Sequence, residues 1–324
     1  MKAHRSSNIA RLMPHRFSWR TVMVLSIPAL YWLAFKDVVM RDILSSLRRW
    51  SMTDMLLFGL VNVLVIAAMC LRLWIILHRC GYRVPMHRLA VYRIGSNAIS
   101  YITPGPHFGG EPFQIHMLIR SHRLPIAHAA ASVATDRAIE MIANLGLLCF
   151  GGLYLLHQSY LGAIFKFQFI AFLLLTFASA CVYLKVVADG RTPLSRFARQ
   201  MQAFFHFNAL RPSRVATLKA GEKKAGAILK QPQPILWLYG GCALVQWFLM
   251  AAEFWLIYAV IGIALQPLEL IAVVVAARLA FLLPLPGALG ALEASQMLIL
   301  DSLNLSPGAG LAACIILRAR DLLM

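Results

Sequence analysis

Long apolar blocks dominate the sequence and limit what the chain can fold into. Three of the longest are 55–70, 169–184 and 235–265, each near or above the roughly 20 residues that a helix needs to cross the hydrocarbon of a bilayer. Of the 324 residues, 60% are apolar and only 14% are charged, too few to cover a soluble surface. We therefore predict an all-α polytopic membrane protein with about seven to eight transmembrane helices.

The apolar blocks place the expected elements along the chain. Predicted helices lie near 21–35, 55–78, 126–156, 167–187, 235–263, 267–283 and 307–322. Two shorter pieces, 89–120 and 284–303, are interrupted by proline and glycine, which predicts broken or re-entrant segments. We expect a basic cytoplasmic tail over 1–20, followed by a single transmembrane domain over 21–324 that includes a basic cytoplasmic loop at 185–234.

The formal net charge of +18 is distributed as expected for a membrane protein. Ten Lys and Arg residues lie within 185–230, which predicts that this segment and the N-terminus face the cytoplasm of a bacterial inner membrane. The segment does not interleave bases with aromatic residues as a nucleic-acid groove would, so no nucleic-acid partner is expected. The six cysteines and ten histidines show no ligand spacing, so we expect no metal and no cofactor.

A motif of proline, glycine, glutamate and glutamine occurs twice. The first copy consists of Pro104, Gly105, Gly109, Gly110, Glu111 and Gln114. The second copy consists of Pro286, Gly287, Gly290, Glu293 and Gln296. In both copies the proline precedes the glutamate by seven residues and the glutamine follows it by three. This agreement suggests an internal repeat.

The match continues downstream of each motif. Arg137 follows Glu111 by 26 residues in the run RAIE, which ends at Glu140, and Arg318 follows Glu293 by 25 residues in the run RARD. Backbone freed by proline and glycine at membrane depth is tolerated only where it is buried in protein or lines a cavity. In transporters, corresponding breaks in two halves point to a substrate site near the bilayer midplane.

Isolated charges in the apolar blocks require partners. Arg278 is flanked by apolar residues and would cost about 2.5 to 3.5 kcal/mol if it faced lipid, so we expect an acidic partner or an anionic ligand. Glu253 and Glu293 are the nearest candidate partners in the sequence. Arg72 lies near the cytoplasmic end of its block, where we expect its side chain to extend towards the headgroups.

These residues carry a family resemblance. Pro104-Gly105, the GGE at 109–111 with Arg137 downstream, and LP-x-PG-x-x-G-x-x-E at 283–293 with the late Arg318 resemble the lysylphosphatidylglycerol synthase transmembrane region, or flippase-like domain. The resemblance implies a membrane domain that flips a lipid between leaflets. It also implies that lysyl transfer, which belongs to a separate soluble domain in the best-known members, is not expected of this chain.

The residues and the resemblance together lead to one hypothesis: the chain binds and translocates a polar lipid or a lipid-linked headgroup. The predicted substrate-binding residues are Glu111, Gln114, Arg137, Glu140, Arg278, Glu293, Gln296 and Arg318. The arginines at 137, 278 and 318 would hold a phosphate by charge-assisted hydrogen bonds. The glutamates at 111 and 293 would pair with arginines in the empty state or receive a cationic headgroup. The expected partners are anionic or headgroup-modified membrane lipids.

Two alternatives remain at this point. An integral-membrane transferase acting on a phospholipid or polyprenyl substrate could use Glu111 and Glu293 as general bases. A non-transporting scaffold could recruit a biosynthetic complex through the basic segment at 185–230. The sequence lacks a G-x₄-G-K-[ST] nucleotide loop, so hydrolysis of ATP by this chain is not expected.

Overall fold

The computed structural model describes residues 50–103, 109–157, 163–205, 212–283 and 285–323. The predicted tail at 1–20, the predicted helix near 21–35, Pro104 and Gly105 lie outside these ranges. Within them, all regular structure is helical. The helices are α1 Met52–Arg79, α2 Met86–Ile102, α3 Glu111–His122, α4 Ile126–His157, α5 Ala163–Ala188, α6 Pro193–Phe205, α7 Pro212–Leu229, α8 Gln233–Ile261, α9 Pro267–Leu282, α10 Ala291–Ser302 and α11 Pro307–Leu323.

The prediction of an all-α membrane protein is confirmed. The segments Met52–Arg79, Ile170–Ala188 and Gln233–Ile261 are long and apolar enough to cross a membrane. The 32 residues of α4 extend over about 48 Å, which also exceeds the thickness of the hydrocarbon core. These helices correspond to four of the predicted spans, and their observed ends differ from the predicted ends by a few residues.

The two long helices α1 and α8 pack against each other in opposite directions. Arg72 Nη1 of α1 donates a hydrogen bond to Gln246 Oε1 of α8 over 3.1 Å. Ten residues earlier in α1, Asn62 Oδ1 accepts a hydrogen bond from Arg320 Nη1. The same nitrogen also donates to the Glu253 carboxylate of α8. Residue numbers therefore rise along α1 where they fall along α8, so the two helices are antiparallel.

Each of these long helices begins a similar run of elements. The 28-residue α1 is followed by α2 with 17 residues, α3 with 12 residues and the long α4. The 29-residue α8 is followed by α9 with 16 residues, α10 with 12 residues and α11. The first unit, α1–α4, and the second unit, α8–α11, therefore repeat the lengths of their first three helices, whereas their last helices differ, with 32 residues in α4 and 17 in α11.

The antiparallel arrangement of α1 and α8 makes the two units opposite in orientation. We name α2–α3 the first hairpin and α9–α10 the second hairpin. In the first hairpin, Tyr92 Oη near the start of α2 lies 3.2 Å from His122 Nε2 at the end of α3, so the chain turns back on itself. Short connections at 80–85 and 262–266 link α1 and α8 to their hairpins. The hairpins therefore enter from opposite faces, as in inverted-repeat transporters.

The tips of the two hairpins meet inside the domain, and glycine permits the contact. Gly287 has a left-handed backbone with φ +54°, and a Cβ placed there would lie 2.8 Å from the ring of Tyr101 at the end of α2. At the start of α3, a Cβ on Gly110 would lie 1.9 Å from the carbonyl oxygen of Ser96. A side chain at 287 would force the two tips apart, and a side chain at 110 would separate α3 from α2 within the first hairpin.

Helices α5, α6 and α7 lie between the two units in the chain and have no counterpart in the second unit. α7 packs against α4 and α5. The Glu222 carboxylate of α7 accepts hydrogen bonds from the backbone amides of Leu194 and Ser195, at 2.8 and 2.9 Å, and so caps the start of α6. We call the face of the domain that carries α6 and α7 the basic face.

Candidate functional site

A buried network of charges joins α1, α2 and α4. Asp136 accepts from Arg72 Nε at 2.6 Å and from Arg93 Nη1 at 3.0 Å, and all three side chains are almost completely buried. Glu140 accepts from the same two arginines at 3.2 and 3.1 Å. The expectation that Arg72 extends to the headgroups is wrong, because the two carboxylates of α4 hold it inside the protein.

The first copy of the motif forms an ion pair between its hairpin and α4. Arg137 Nε lies 3.0 Å from Oε1 of Glu111, the first residue of α3. Arg137 Nη1 lies 3.1 Å from Glu140 Oε2. A negative side chain in the first turn of a helix is stabilised by the helix dipole, so Glu111 is well placed to receive the guanidinium. Glu111 and Arg137 thus join the first hairpin to α4.

The second copy forms the corresponding ion pair and adds contacts to both tips. Arg318 Nε lies 3.1 Å from Glu293 Oε1, close to the start of α10. Arg318 Nη1 donates to Tyr101 Oη at 2.6 Å and to the Gly287 carbonyl, and Nη2 donates to the Ala288 carbonyl at 3.2 Å. This guanidinium therefore connects the tip of the second hairpin to the end of α2 in the first.

The two glutamines of the repeated motif are buried but have different environments. Gln296 accepts a hydrogen bond from Tyr258 Oη at 2.9 Å and donates to the Val273 carbonyl at 3.1 Å, so it joins α8, α9 and α10. Neither side-chain polar atom of Gln114 has a hydrogen-bond partner among the described residues. The second copy is thus held more tightly by polar contacts than the first.

A third charged group lies on α8 and α11. Arg320 contacts the carboxylate of Glu253, which is buried in α8, and its Nη2 lies 2.7 Å from Asp321 Oδ1. One guanidinium therefore lies between two carboxylates, which leaves this group with one excess negative charge.

Arg278 differs from the other arginines of the core. Its guanidinium carbon lies 4.5 Å from the ring centroid of Trp247, and its Nη2 lies 2.8 Å from Met250 Sδ. No carboxylate within the described ranges forms an ion pair with it, so the expectation that Glu253 or Glu293 is its partner is wrong. A cation–π contact keeps the charge but leaves the hydrogen-bonding capacity of the guanidinium largely unused.

A cavity of about 240 Å³ lies between the two units, and Arg278 is part of its wall. The charged residues in its lining are Arg137, Glu140, Glu253, Arg278, Arg320 and Asp321. Neutral polar residues in the lining are Asn62, Asn97, Tyr101, Asn144 and Gln246. We call this the central cavity. It combines hydrogen-bonding groups with apolar walls, as ligand sites do.

The predicted residues divide into two groups around this space. Arg137, Glu140 and Arg278 line the central cavity. Glu111 lies one contact away through Arg137. The motif residues Gln114, Glu293, Gln296 and Arg318 are not in the lining; the last three instead fix the hairpins by polar contacts, whereas Gln114 is buried without a hydrogen-bond partner among the described residues.

Sequence reasoning did not assign a site role to several residues of the cavity wall. Arg320 and Asp321 complete the run RARD that was used only to align the repeats, and Glu253, which pairs with Arg320, was considered as a partner of Arg278. The one available signal in α11 was the spacing of Arg318 and Asp321, which share a helix face, but only Asp321 of this pair lines the cavity. The asparagines and Tyr101 carry no such signal. Across the described ranges, no group of His, Cys, Asp and Glu residues could hold a metal ion.

The fold and the site define a polytopic α-helical membrane protein with two inverted units and a charged cavity between them. Residues 21–324 match the family described as the lysylphosphatidylglycerol synthase TM region, and the chain belongs to this family. A UPF0104 membrane protein from Methanothermobacter thermautotrophicus is 23% identical over 290 residues, which cover 86% of this chain and 83% of that protein. No solved structure matches the chain.

Proposed function

We propose that the protein binds the headgroup of a polar membrane lipid in the central cavity and carries it between leaflets. The observation that supports this most directly is Arg278, a cation with no carboxylate partner in the described part of the chain, on the wall of a cavity between two inverted units. A charge at this depth is costly unless it is compensated, and a lipid phosphate would compensate it.

The charges around Arg278 indicate how a headgroup would bind. Arg278 would donate two parallel hydrogen bonds to phosphate oxygens. Arg137 and Arg320 are partly exposed, at 14% and 18%, and would add donors on either side. The Glu140 and Asp321 carboxylates, at 20% and 18%, would accept from a cationic group of the headgroup. The cavity thus suits an anionic lipid or one whose headgroup carries an added amine.

The hairpins suggest how access would alternate. They enter from opposite faces, and their tips are held together by the contacts of Arg318 with Tyr101 and Gly287. Movement of one hairpin away from this contact would open the central cavity towards one leaflet, and movement of the other would open it towards the opposite leaflet. The ion pairs of Glu111 and Glu293 would hold the hairpins in place while the cavity is empty.

The same geometry favours transport over acid–base chemistry. A general base needs a carboxylate within hydrogen-bond reach of the substrate proton. Glu111 and Glu293 lie outside the lining of the central cavity, and each contacts an arginine at 3.0 or 3.1 Å. Transport therefore accounts for their positions better than catalysis by the two glutamates does.

The first test is native mass spectrometry of the purified protein with identification of bound lipids. We expect wild type to retain one class of phosphate-bearing lipid and Arg278→Ala to retain at least tenfold less of it. Arg278→Lys should retain an intermediate amount, because lysine binds phosphate without the bidentate fork. Arg120→Ala, which removes an exposed charge at the end of α3, should change nothing. Equal lipid retention in all four proteins would contradict binding at Arg278.

The second test measures movement. Liposomes containing the protein and a headgroup-accessible fluorescent lipid would be treated with an impermeant quencher, across a panel of headgroups and with or without an ion gradient. We expect the quenchable fraction to rise above one half for the retained lipid and to fall back in Arg278→Ala. Retention without movement would instead support the scaffold alternative.

A further inference from the structure

A second polar depression lies at the basic face, away from the central cavity. It has a volume of about 170 Å³, and its polar lining consists of Arg79, Cys80, His128, Lys224 and Gln231. These residues come from the end of α1, the first turn of α4 and the end of α7 with the residues that follow it. We call this space the cationic groove.

The charges of the cationic groove are of one sign. Its lining includes no carboxylate, and neither Arg79 nor Lys224 forms an ion pair with any described residue. The imidazole Nδ1 of His128 also has no hydrogen-bond partner within the described ranges. This contrasts with the network around Asp136 and Glu140, where carboxylates compensate the arginines.

A further polar group without a partner among the described residues lies beneath the lining of the groove. Tyr239 of α8 packs in one apolar cluster with Ala131 and Ile228, two residues that line the groove. Tyr239 is only 1% exposed, and its hydroxyl has no hydrogen-bond partner in the part of the chain that the structure describes. A buried hydroxyl without a partner is costly, so the polar groups next to the groove are not fully satisfied by the described residues themselves.

The groove lies at the end of a helix that is long and apolar enough to cross a membrane. Arg79 is the last residue of this helix, α1, so we expect its side chain at the level of the headgroups. A basic residue near an anionic leaflet contributes about 1 kcal/mol of attraction, whereas a site enclosed by three helices adds directed hydrogen bonds to that attraction.

We propose that the cationic groove binds a phosphate group, carried by a lipid of the adjoining leaflet or by a soluble phosphorylated anion. Arg79 supplies a planar pair of donors, Lys224 supplies a point charge and the Gln231 amide supplies a neutral donor. Because these groups come from separate elements, bound phosphate ties α1, α4 and α7 together and stabilises the basic face. This site does not depend on lipid transport through the central cavity.

The test compares two sources of phosphate on delipidated protein in detergent. Native mass spectrometry would follow binding of phosphatidylglycerol, and thermal unfolding at constant ionic strength would follow inorganic phosphate and pyrophosphate, since a ligand of the folded state raises the unfolding temperature. The Arg79→Gln/Lys224→Gln variant should bind the recognised source about 30-fold more weakly, the effect of losing two contacts of about 1 kcal/mol each. Binding of either source by wild type, with this loss, supports the proposal and identifies the source.

Matched variants separate the groove from other effects. Arg83→Gln/Lys223→Gln removes two exposed charges near the groove that are not in its lining, and it should stay within about twofold of wild type. The charge-retaining Arg79→Lys/Lys224→Arg variant should keep most of the binding. It changes the same two positions, so it shows whether weaker binding by the glutamine variant comes from the lost charges or from misfolding. Equal loss in the Arg83 control, or binding of neither source by wild type, would overturn the proposal.

Two further readouts assign any binding to the groove. All of these variants are compared in an Arg278→Ala background, so that lipid bound in the central cavity does not add to the signal and failure of the transport proposal would not affect this result. Cys80 lies partly exposed in the groove, and in a Cys181→Ser background we expect its rate of maleimide labelling to fall at least threefold when the phosphate source is bound. Unchanged labelling with bound ligand would place the ligand elsewhere.

Discussion

The buried charge network makes a sharp prediction about Asp136. Its carboxylate is fully buried and accepts from Arg72 at 2.6 Å and from Arg93 at 3.0 Å. The substitution Asp136→Asn keeps the shape of the side chain and removes its charge. Three arginines of the network, including Arg137, then share the two carboxylates of Glu111 and Glu140.

The expected loss follows from the burial of the network. Removal of one partner from a buried ion pair typically costs about 3 to 5 kcal/mol, because it leaves an uncompensated charge in a medium of low dielectric constant. We therefore expect Asp136→Asn to lower the free energy of unfolding by about that amount. Adding Arg72→Gln should recover part of the loss, since two arginines then face two carboxylates.

Reversible unfolding in mixed micelles with increasing SDS would measure both effects. The matched control is Glu269→Gln, which removes a carboxylate that caps α9 through the backbone amide of Gln266 at 2.9 Å, and it should have a much smaller effect. The reasoning is refuted if Asp136→Asn is no worse than this control, or if the losses of Asp136→Asn and Arg72→Gln simply add.

The remaining predictions concern the hairpins. Gly287→Ala should lower the free energy of unfolding by about 1 to 3 kcal/mol, because alanine disfavours the left-handed backbone and its Cβ would meet the Tyr101 ring. The midpoint of unfolding would be compared with that of Gly240→Ala, where a Cβ meets no other atom. Glu111→Gln should increase the amount of anionic lipid retained in native mass spectrometry severalfold, because it frees the Arg137 guanidinium from one of its carboxylate partners at the cavity. Unchanged or reduced retention would count against a role of Arg137 in binding.

Much of the architecture was predictable because its signals are local. Apolar block length predicted the spans, and proline and glycine predicted the breaks at both hairpin tips, although Pro104 and Gly105 lie outside the described residues. The alignment of the two motifs brought together Glu111 with Arg137 and Glu293 with Arg318, and both pairs form. A role of these residues in binding substrate stays a prediction.

The remaining features depend on contacts between distant parts of the chain. Arg72 meets Asp136 across 64 positions, and Arg320 meets Glu253 across 67. Nothing near Arg72 in the sequence distinguishes a buried network from a side chain that reaches the headgroups. The relative direction of the two units was also undetermined, since it follows from the pairing of α1 with α8.

The inverted relation of the two units has a consequence for how the protein enters the membrane. A fold built from two copies in opposite orientations looks similar from either face, so its architecture provides little information about which end should be inside. Helices α5, α6 and α7 break that symmetry, and most of the basic residues of the 185–230 segment lie in them or at their ends. Among the described residues, the basic charge that would orient the domain is concentrated in the insertion that the repeat does not share. We expect removal of these Lys and Arg residues to leave the fold intact while weakening the preference for which leaflet each hairpin faces.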